Sequence, residues 1–332
     1  MDVLRPERWP VLITVAICTR DRAESLRRTL ESLAAMRVPG DVAWEVVVVN
    51  NGGTDHTDQV IAAFANRLPI RREFEPQPGL SRARNRAVDA ANGDYIVWTD
   101  DDVIVDPGWL AAYAEAFRRW PGAAVFGGRI TPRLEEPVPR WFLGTQALWI
   151  GMLGTRDFGD ADLPLCLAGE RLPYGPNFAI RAIEQRKYRY DTELGHAPGQ
   201  GRRGEEMDVV ERLLRSGASG YWVPQAKVEH CFTRGQLTTP CAARFYASIG
   251  ETVAFRDRPA ASGVFWLGAP RWLWRQMIEQ WLRYRVHRWI SPPPVWARHL
   301  VSYAMTWGTI RYWRGRSGVN MPNPLRQGGP SR

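Results

Sequence analysis

Three consecutive carboxylates, Asp100, Asp101 and Asp102, directly follow the apolar run YIVWT at 95–99. Adjacent carboxylates repel one another, and burial raises the cost, so such a cluster calls for a compensating cation. On an extended chain residues i and i+2 point the same way. Asp100 and Asp102 are therefore expected to face one site while Asp101 turns away. Two carboxylates facing together suit a hard divalent ion, Mn²⁺ or Mg²⁺, which keeps its other positions for water and substrate phosphates. The plainer alternative is a solvated acidic turn in which Asp106 caps the next helix. That alternative suits an acidic pair in a loop better than three aspartates ending a buried strand. A second acidic pair, Glu205-Glu206, follows Gly204 at the head of a helical pattern over 205–216. Carboxylates placed there meet the positive end of a helix, which also helps keep them ionised.

These groups need a frame to hold them. Residues 11–18 (VLITVAIC), 44–50 (WEVVVVN) and 94–99 (DYIVWT) read as buried strands, 123–130 as another and 70–74 as a weak one. Between them lie helical patterns: one to about Met36, opened by an Asp21–Glu24 capping box, then 54–66, 80–91, and 108–120 after Pro107. Continuous apolar strands alternating with helices imply an α/β protein whose mostly parallel sheet is covered on both faces. In such sheets ligands bind beyond the carboxyl ends of the strands. Those ends carry Thr19-Arg20-Asp21, Asn50-Asn51-Gly52 and Asp100-Asp101-Asp102. No G-x-G-x-x-G follows the first strand and no G-x-x-x-x-G-K-[ST] occurs, which argues against a dinucleotide cofactor and a P-loop.

With 332 residues, 45% of them apolar and 24% charged, the chain can build a sizeable core and is neither disordered nor disulfide-stapled. Its net charge of +9 is unevenly placed. Residues 1–252 hold 31 basic and 33 acidic side chains, whereas 253–332 hold 13 and 2, with 8 of the 16 tryptophans. The four cysteines form no CxxC pair, so a structural zinc site is not expected, and Cys18 reads as an inert core thiol. Asp2 and Glu7 spoil a signal-peptide pattern, and no apolar run reaches a transmembrane length, so a cytosolic chain is expected.

Seven motifs stand in order: V-x-x-C-T-R-D-R, V-V-V-V-N-N-G-G-T-D-x-T, G-L-S-R-A-R-N-R-A, D-Y-I-V-W-T-D-D-D, Y-G-P-N-F-A-I-R, G-E-E-M-D-V-V-E-R-L and V-P-Q-A-K-V-E-H. Over residues 10–255 this set resembles a family 2 glycosyltransferase of the GT-A fold. The resemblance implies inverting transfer of a sugar from a nucleotide-sugar to an acceptor hydroxyl. Carried over position by position, it implies that Asp100 and Asp102 link a metal to the donor diphosphate, with His230 completing the metal shell and Asp101 near the ribose. Thr19, Arg20 and Asp21 would line the nucleoside pocket together with Asn50 and Asn51. Gly79, Arg84 and Asn85 would approach the base or diphosphate; Arg84 alternatively lies on a solvated helix face beside Arg82 and Arg86. Glu206, or else Glu205, would be the general base, and Asn177 and Asp208 would contact the acceptor. Asn177 reads alternatively as a turn residue, His230 as a structural histidine, and Asp55 as a helix cap. Asn50 replaces the family's usual Asp; it keeps an acceptor oxygen and adds a donor, and a UDP-sugar remains the first expectation.

The resemblance divides residues 1–255 into a nucleotide-sugar-binding half (10–130) and an acceptor-binding half (131–255). The remainder, 256–332, is a basic, Trp-rich tail. Residues 269–290 are expected to form an amphipathic helix with Trp274, Ile278, Trp281, Leu282 and Trp289 near one stripe, and 295–313 a second helix after Pro292-Pro293-Pro294. Such a helix either packs on the catalytic domain or lies on an anionic membrane, where a lipid-linked or glycan acceptor would meet the enzyme. The corresponding location is the inner face of the cytoplasmic membrane. Nucleic acid is not an expected partner, because the catalytic half is slightly acidic and shows no such motif. Two other functions fit less well: a catalytically silent binding protein on the same scaffold, and a nucleotidyltransferase, which would need a Gly-rich phosphate loop where this chain has CTRDR.

Overall fold

The computed structural model describes residues 11–168, 171–199, 201–257 and 263–317. In chain order the first elements are β1 (Leu12–Thr19), α1 (Ala23–Ala34), β2 (Ala43–Asn50), α2 (Thr57–Ala63), β3 (Ile70–Phe74), α3 (Leu80–Ala90) and β4 (Tyr95–Asp100). Then come β5 (Val103–Val105), α4 (Trp109–Arg119), β6 (Val125–Leu134), α5 (Arg140–Leu143), a 3₁₀ turn (Gln146–Trp149) and α6 (Ile150–Leu153). They are followed by β7 (Leu163–Pro164), β8 (Phe178–Arg181), α7 (Ala182–Lys187), α8 (Glu205–Arg215) and β9 (Gly220–Phe232). The chain closes with α9 (Thr239–Asp257), β10 (Phe265–Trp266), β11 (Ala269–Pro270), α10 (Arg271–Ile290) and α11 (Pro293–Ser317).

The described residues fall into two units. The first runs to Arg133 and adds Gly154–Pro198 and Gly204–Cys231. Its sheet has the order β3-β2-β1-β4-β8-β6-β9-β5, with β7 beside β9. The strands β3, β2, β1 and β4 are parallel, as their continuous apolar runs require; β8 is antiparallel to both β4 and β6. Strand alternation sorts the core into two layers. Ile13, Val15, Ile17, Val46 and Val48 pack with α1 and α4, whereas Ala16, Val47 and Val49 pack with α3 and α8. Each such buried side chain contributes about 1.5–3 kcal/mol of hydrophobic stabilisation at most. Cys18 packs beside the second layer, and burial pushes its thiol up to about 12, as an inert thiol requires.

Two local expectations are corrected. No Asp21–Glu24 capping box forms: Asp21 sits at φ 52° and accepts from Thr54 N, while the first amide of α1, Ala23 N, donates to Asp55. Asp55 also accepts from Thr57 N, so one carboxylate serves two helix starts, and α2 begins at Thr57 rather than 54.

The second unit comprises Leu134–Leu153, Gly199–Arg203 and the chain from Phe232. It is larger than the expected tail because the irregular Trp-rich segment joins it: Phe142, Trp149 and Leu153 share a core with Leu237, Trp296 and Tyr303. The expected apolar stripe of α10 divides. Trp274 is buried, but Ile278, Trp281, Leu282 and Trp289 are exposed, so the helix is not amphipathic in the ordinary inward sense. Helices α9 and α11 cross at glycines. A Cβ on Gly308 would lie 1.9 Å from Ala247 O, and one on Gly250 2.0 Å from Met305 O. Gly308→Val therefore has to separate two helix backbones and is expected to cost about 3 kcal/mol, lowering the calorimetric Tm by about 4 °C. Gly315→Ala, in the same helix with open space around it, is the control and is expected to raise Tm slightly.

Candidate functional site

The site forms in the first unit, where β1, β2 and β4 end side by side. Register places Cys18 opposite Asp100 and Thr19 opposite Asn50. β5 continues from the aspartates and pairs antiparallel with β9, setting Val103 opposite His230. The amide of Cys231 donates to Asp102 O, which fixes the end of β9 against the acidic turn. One ligand atom from each of Asp100, Asp102 and His230 lies within 4.8 Å of the others. Two carboxylates and an imidazole converging in this way fit a divalent cation.

Asp101 turns inward, as strand alternation predicts. Its carboxylate accepts from Thr19 Oγ1 (2.7 Å) and pairs with Arg22 Nη1 (2.8 Å). Both groups are thus engaged within the protein. Arg22, which closes the first motif but was given no role there, reaches Asp102 Oδ2 with Nη2 (2.6 Å), and His230 Nε2 stands 3.3 Å from Asp102 Oδ1. Burial opposes ionisation of Asp102, yet His230 and Arg22 hold it well below the usual carboxylate range. For Asp100 burial prevails over Arg84, and Asp102 adds repulsion, so its pKa is raised. Burial likewise pushes Asp101 up to about 7 against the pull of Arg22.

Arg84 is buried rather than on the solvated face of α3. Its guanidinium lies 5.5 to 5.7 Å from the ring centroids of Tyr190, Trp98 and Phe178. Nη1 is 3.5 Å from Glu205 and Nη2 3.6 Å from Asp100, and Nη1 makes no hydrogen bond among the described residues. A Cβ on Gly175 would meet Arg84 Nη2 at 3.0 Å, Glu206 Oε1 at 3.6 Å and Asp100 Oδ2 at 3.8 Å. The glycine thus marks the point on which a cation, an acid of α8 and an acid of the triplet converge. Gly204 precedes α8 in the left-handed region, at φ 86°, which starts the helix at the acidic pair. Of that pair Glu205 is buried against Arg84, and Glu206 is the more exposed.

Several of the expected site residues make bonds within the framework. Asn177 is completely buried: Oδ1 accepts from Trp109 Nε1 and Tyr113 Oη, and Nδ2 donates to Arg129 O and Ala226 O. All four of its bonding positions are used, so it offers nothing to an acceptor. Asn51 holds the 75–79 loop through Glu75 O, Gln77 O and the amide of Gly79, the residue before α3. Asn85 clamps both backbone groups of Tyr190 and thereby steadies the cage around Arg84. Asn50 spends its carbonyl on Gly53 N and donates to Asp58, so its first task is to shape the loop after β2. Arg20 pairs with Asp21 at the exposed rim, and Asp208 pairs with Arg212 one turn along α8. Arg22 was legible through charge: three aspartates ending β4 need cations, and the loop after the neighbouring strand β1 supplies one.

The chain matches the family described as Glycosyl transferase family 2 over residues 14–163, which include the acidic triplet. It is 31% identical over 245 residues to the succinoglycan biosynthesis protein ExoM of Rhizobium meliloti (strain 1021), across 72% of this chain and 73% of that protein. Two solved structures share its fold. One is S. aureus TarS 1–349 in complex with UDP-GlcNAc, at TM-score 0.53 and 15% identity over 92% of each chain. The other is the mannosyltransferase PcManGT from Pyrobaculum calidifontis in complex with GDP-Man and Mn²⁺, at TM-score 0.52 and 16% identity over 96% of this chain and 81% of that one. The acidic triplet at the edge of a parallel sheet, the family match across it and the long alignment with ExoM agree: this chain is a member of the family 2 glycosyltransferases.

Proposed function

We propose that the enzyme moves a sugar from a UDP-sugar to the hydroxyl of a glycan or lipid-linked acceptor, inverting the anomeric carbon, in the assembly of a cell-surface or exopolysaccharide glycan. Mn²⁺ or Mg²⁺ is held by Asp100, Asp102 and His230 in this reading. The observation that carries it is that Asp100, which converges with Asp102 and His230, also meets Arg84 and Glu206 around Gly175. The name of ExoM supports an exopolysaccharide product, and the ligands named with TarS and PcManGT support a nucleotide-sugar and Mn²⁺.

The acceptor oxygen attacks the anomeric carbon from the side opposite the diphosphate, and Glu206 takes its proton. As the new C–O bond forms, the bond to the diphosphate breaks and its electron pair leaves with that group. A divalent ion bound by the trio supplies Lewis-acid stabilisation of the leaving charge. Arg84, whose Nη2 stands beside Gly175 and Asp100, offers that edge of its guanidinium to a diphosphate oxygen, a charge-assisted bond strengthened by the apolar cage. Glu205 and Asn85 are positioning residues: one balances the guanidinium, the other holds Tyr190 against it. Arg20 and Asp21 form the rim facing the nucleoside, and Asp208 faces the acceptor.

A thermal-shift panel of nucleoside diphosphates and their sugars, with and without Mn²⁺, tests the reading. A ligand at a hundredfold excess over its Kd is worth about 2.7 kcal/mol, a shift of several degrees. UDP and UDP-sugars with Mn²⁺ are expected to give the largest shift. A panel in which no nucleotide moves Tm overturns the proposal.

A further inference from the structure

Helix α10 presents a row of large apolar side chains to solvent. Its inner positions, spaced as one helical face, are Leu273, Met277, Gln280, Tyr284 and His287. Gln280 bonds His299 of α11 (3.0 Å), Tyr284 packs on Trp296, and His287 stacks on His299. The opposite face carries Ile278, Leu282, Val286 and Trp289 at i, i+4, i+8 and i+11, all exposed, with Trp289 86% exposed. Where a soluble helix turns its aliphatic stripe to the core, this one turns it outward. The β10–β11 hairpin extends the surface at the start of the helix: Phe265 and Trp266 are exposed, and Trp274 Nε1 donates to Trp266 O. Among the described residues no helix is long and apolar enough to cross a membrane.

We propose that this outward face of α10, with the β10–β11 hairpin, docks on an anionic phospholipid surface. The inference stands apart from the transfer reaction and needs no part of the site. Charge selects the occupant. Arg275 and Arg285 stand three residues from Ile278 and Leu282 on the stripe side, while Glu279, the one acid of the helix, is engaged by Arg283 (2.6 Å). An apolar stripe bordered by arginines, with tryptophans along the helix, fits the headgroup boundary of an anionic bilayer. A second copy fits worse, because a two-fold contact sets these arginines against their own counterparts. Single-stranded nucleic acid also fits worse, because Ile278, Leu282 and Val286 offer no ring for a base to stack on.

The test is co-sedimentation of the full chain with phosphatidylcholine vesicles, without or with about 30% phosphatidylglycerol. Partition onto the anionic vesicles is expected to be at least about tenfold stronger and to weaken in about 0.5 M salt. Leu282→Ser with Trp289→Ser is expected to lower it about tenfold, and Arg275→Gln with Arg285→Gln about 25-fold, roughly fivefold per arginine. All four side chains are exposed, so Tm and the nucleotide-induced thermal shift stay at wild-type values in both variants. Equal partition onto both vesicle types overturns the proposal. So does a dimer by sedimentation equilibrium that Leu282→Ser with Trp289→Ser dissociates, or binding of a single-stranded oligonucleotide in preference to anionic vesicles.

Discussion

Glu206→Gln is expected to lower kcat by about 10³-fold while leaving the nucleotide-induced thermal shift intact. Glutamine keeps the shape and the hydrogen-bonding oxygen of the side chain but cannot take a proton from the acceptor hydroxyl. The position of Glu206 makes the result diagnostic. Its Oε1 lies across Gly175 from Arg84 and Asp100, and it is the more exposed member of the acidic pair. The same change at Glu205 is expected to act differently. That carboxylate is buried beside Arg84, so Glu205→Gln leaves a buried guanidinium short of its counter-charge. Its signature is a lower Tm and a weaker nucleotide shift, with a smaller fall in kcat. If Glu205→Gln abolishes turnover at unchanged Tm while Glu206→Gln turns over normally, the two roles are exchanged.

The parts of the molecule legible in the sequence are those fixed by local pattern. β1, β2 and β4 announce themselves as continuous apolar runs, because both faces of a parallel sheet are buried and leave no polar alternation. The convergence of their carboxyl ends on Asp100–Asp102 follows from topology alone. What sequence did not reveal depends on distant partners. The insertion of β8 antiparallel beside β4 joins strands separated by more than seventy residues, and nothing local at 178–181 encodes it. Asn177 looks like a turn residue with a free amide until Trp109, Tyr113, Arg129 and Ala226 are folded around it. Asp21 and Glu24 have capping-box spacing, but Asp55 reaches the same helix start from another loop, and the tertiary partner prevails. Which way the stripe of α10 turns stayed open in the sequence, because helical periodicity gives the stripe and not its direction.

Asp100→Asn is expected to abolish turnover, by about 10³-fold or more, and at the same time to stabilise the metal-free protein. The first effect follows from removing one of the two carboxylates offered to the cation, which leaves Asp102 and His230. The second follows from the sign of the perturbation. Asp100 titrates above the ordinary carboxylate range because burial, and next to it the charge of Asp102, outweigh Arg84. A raised carboxylate pKa means the charged form is worse off in the folded state than in the unfolded chain. Without metal, ionised Asp100 therefore destabilises the fold, and that penalty appears as pH rises from the unfolded value, near 4, through the folded one. Asp101, pushed up to about 7, adds a penalty of the same sign over the same window. Asp102, held low by His230 and Arg22, has the opposite sign: its stabilisation is fully present above about pH 4 and is lost only as pH falls further into acid. The wild-type Tm in chelator is thus expected to fall between about pH 4 and pH 7, and Asp100→Asn to flatten part of that fall and to melt above the wild type at pH 7. Mn²⁺ reverses the ranking: it raises the wild-type Tm and leaves the variant where it was, because the wild type alone recovers in cation binding what the buried charge costs it. A variant that is less stable than wild type in chelator at pH 7, or that still responds to Mn²⁺, shows instead that Asp100 is a structural acid balanced by Arg84 and not a ligand.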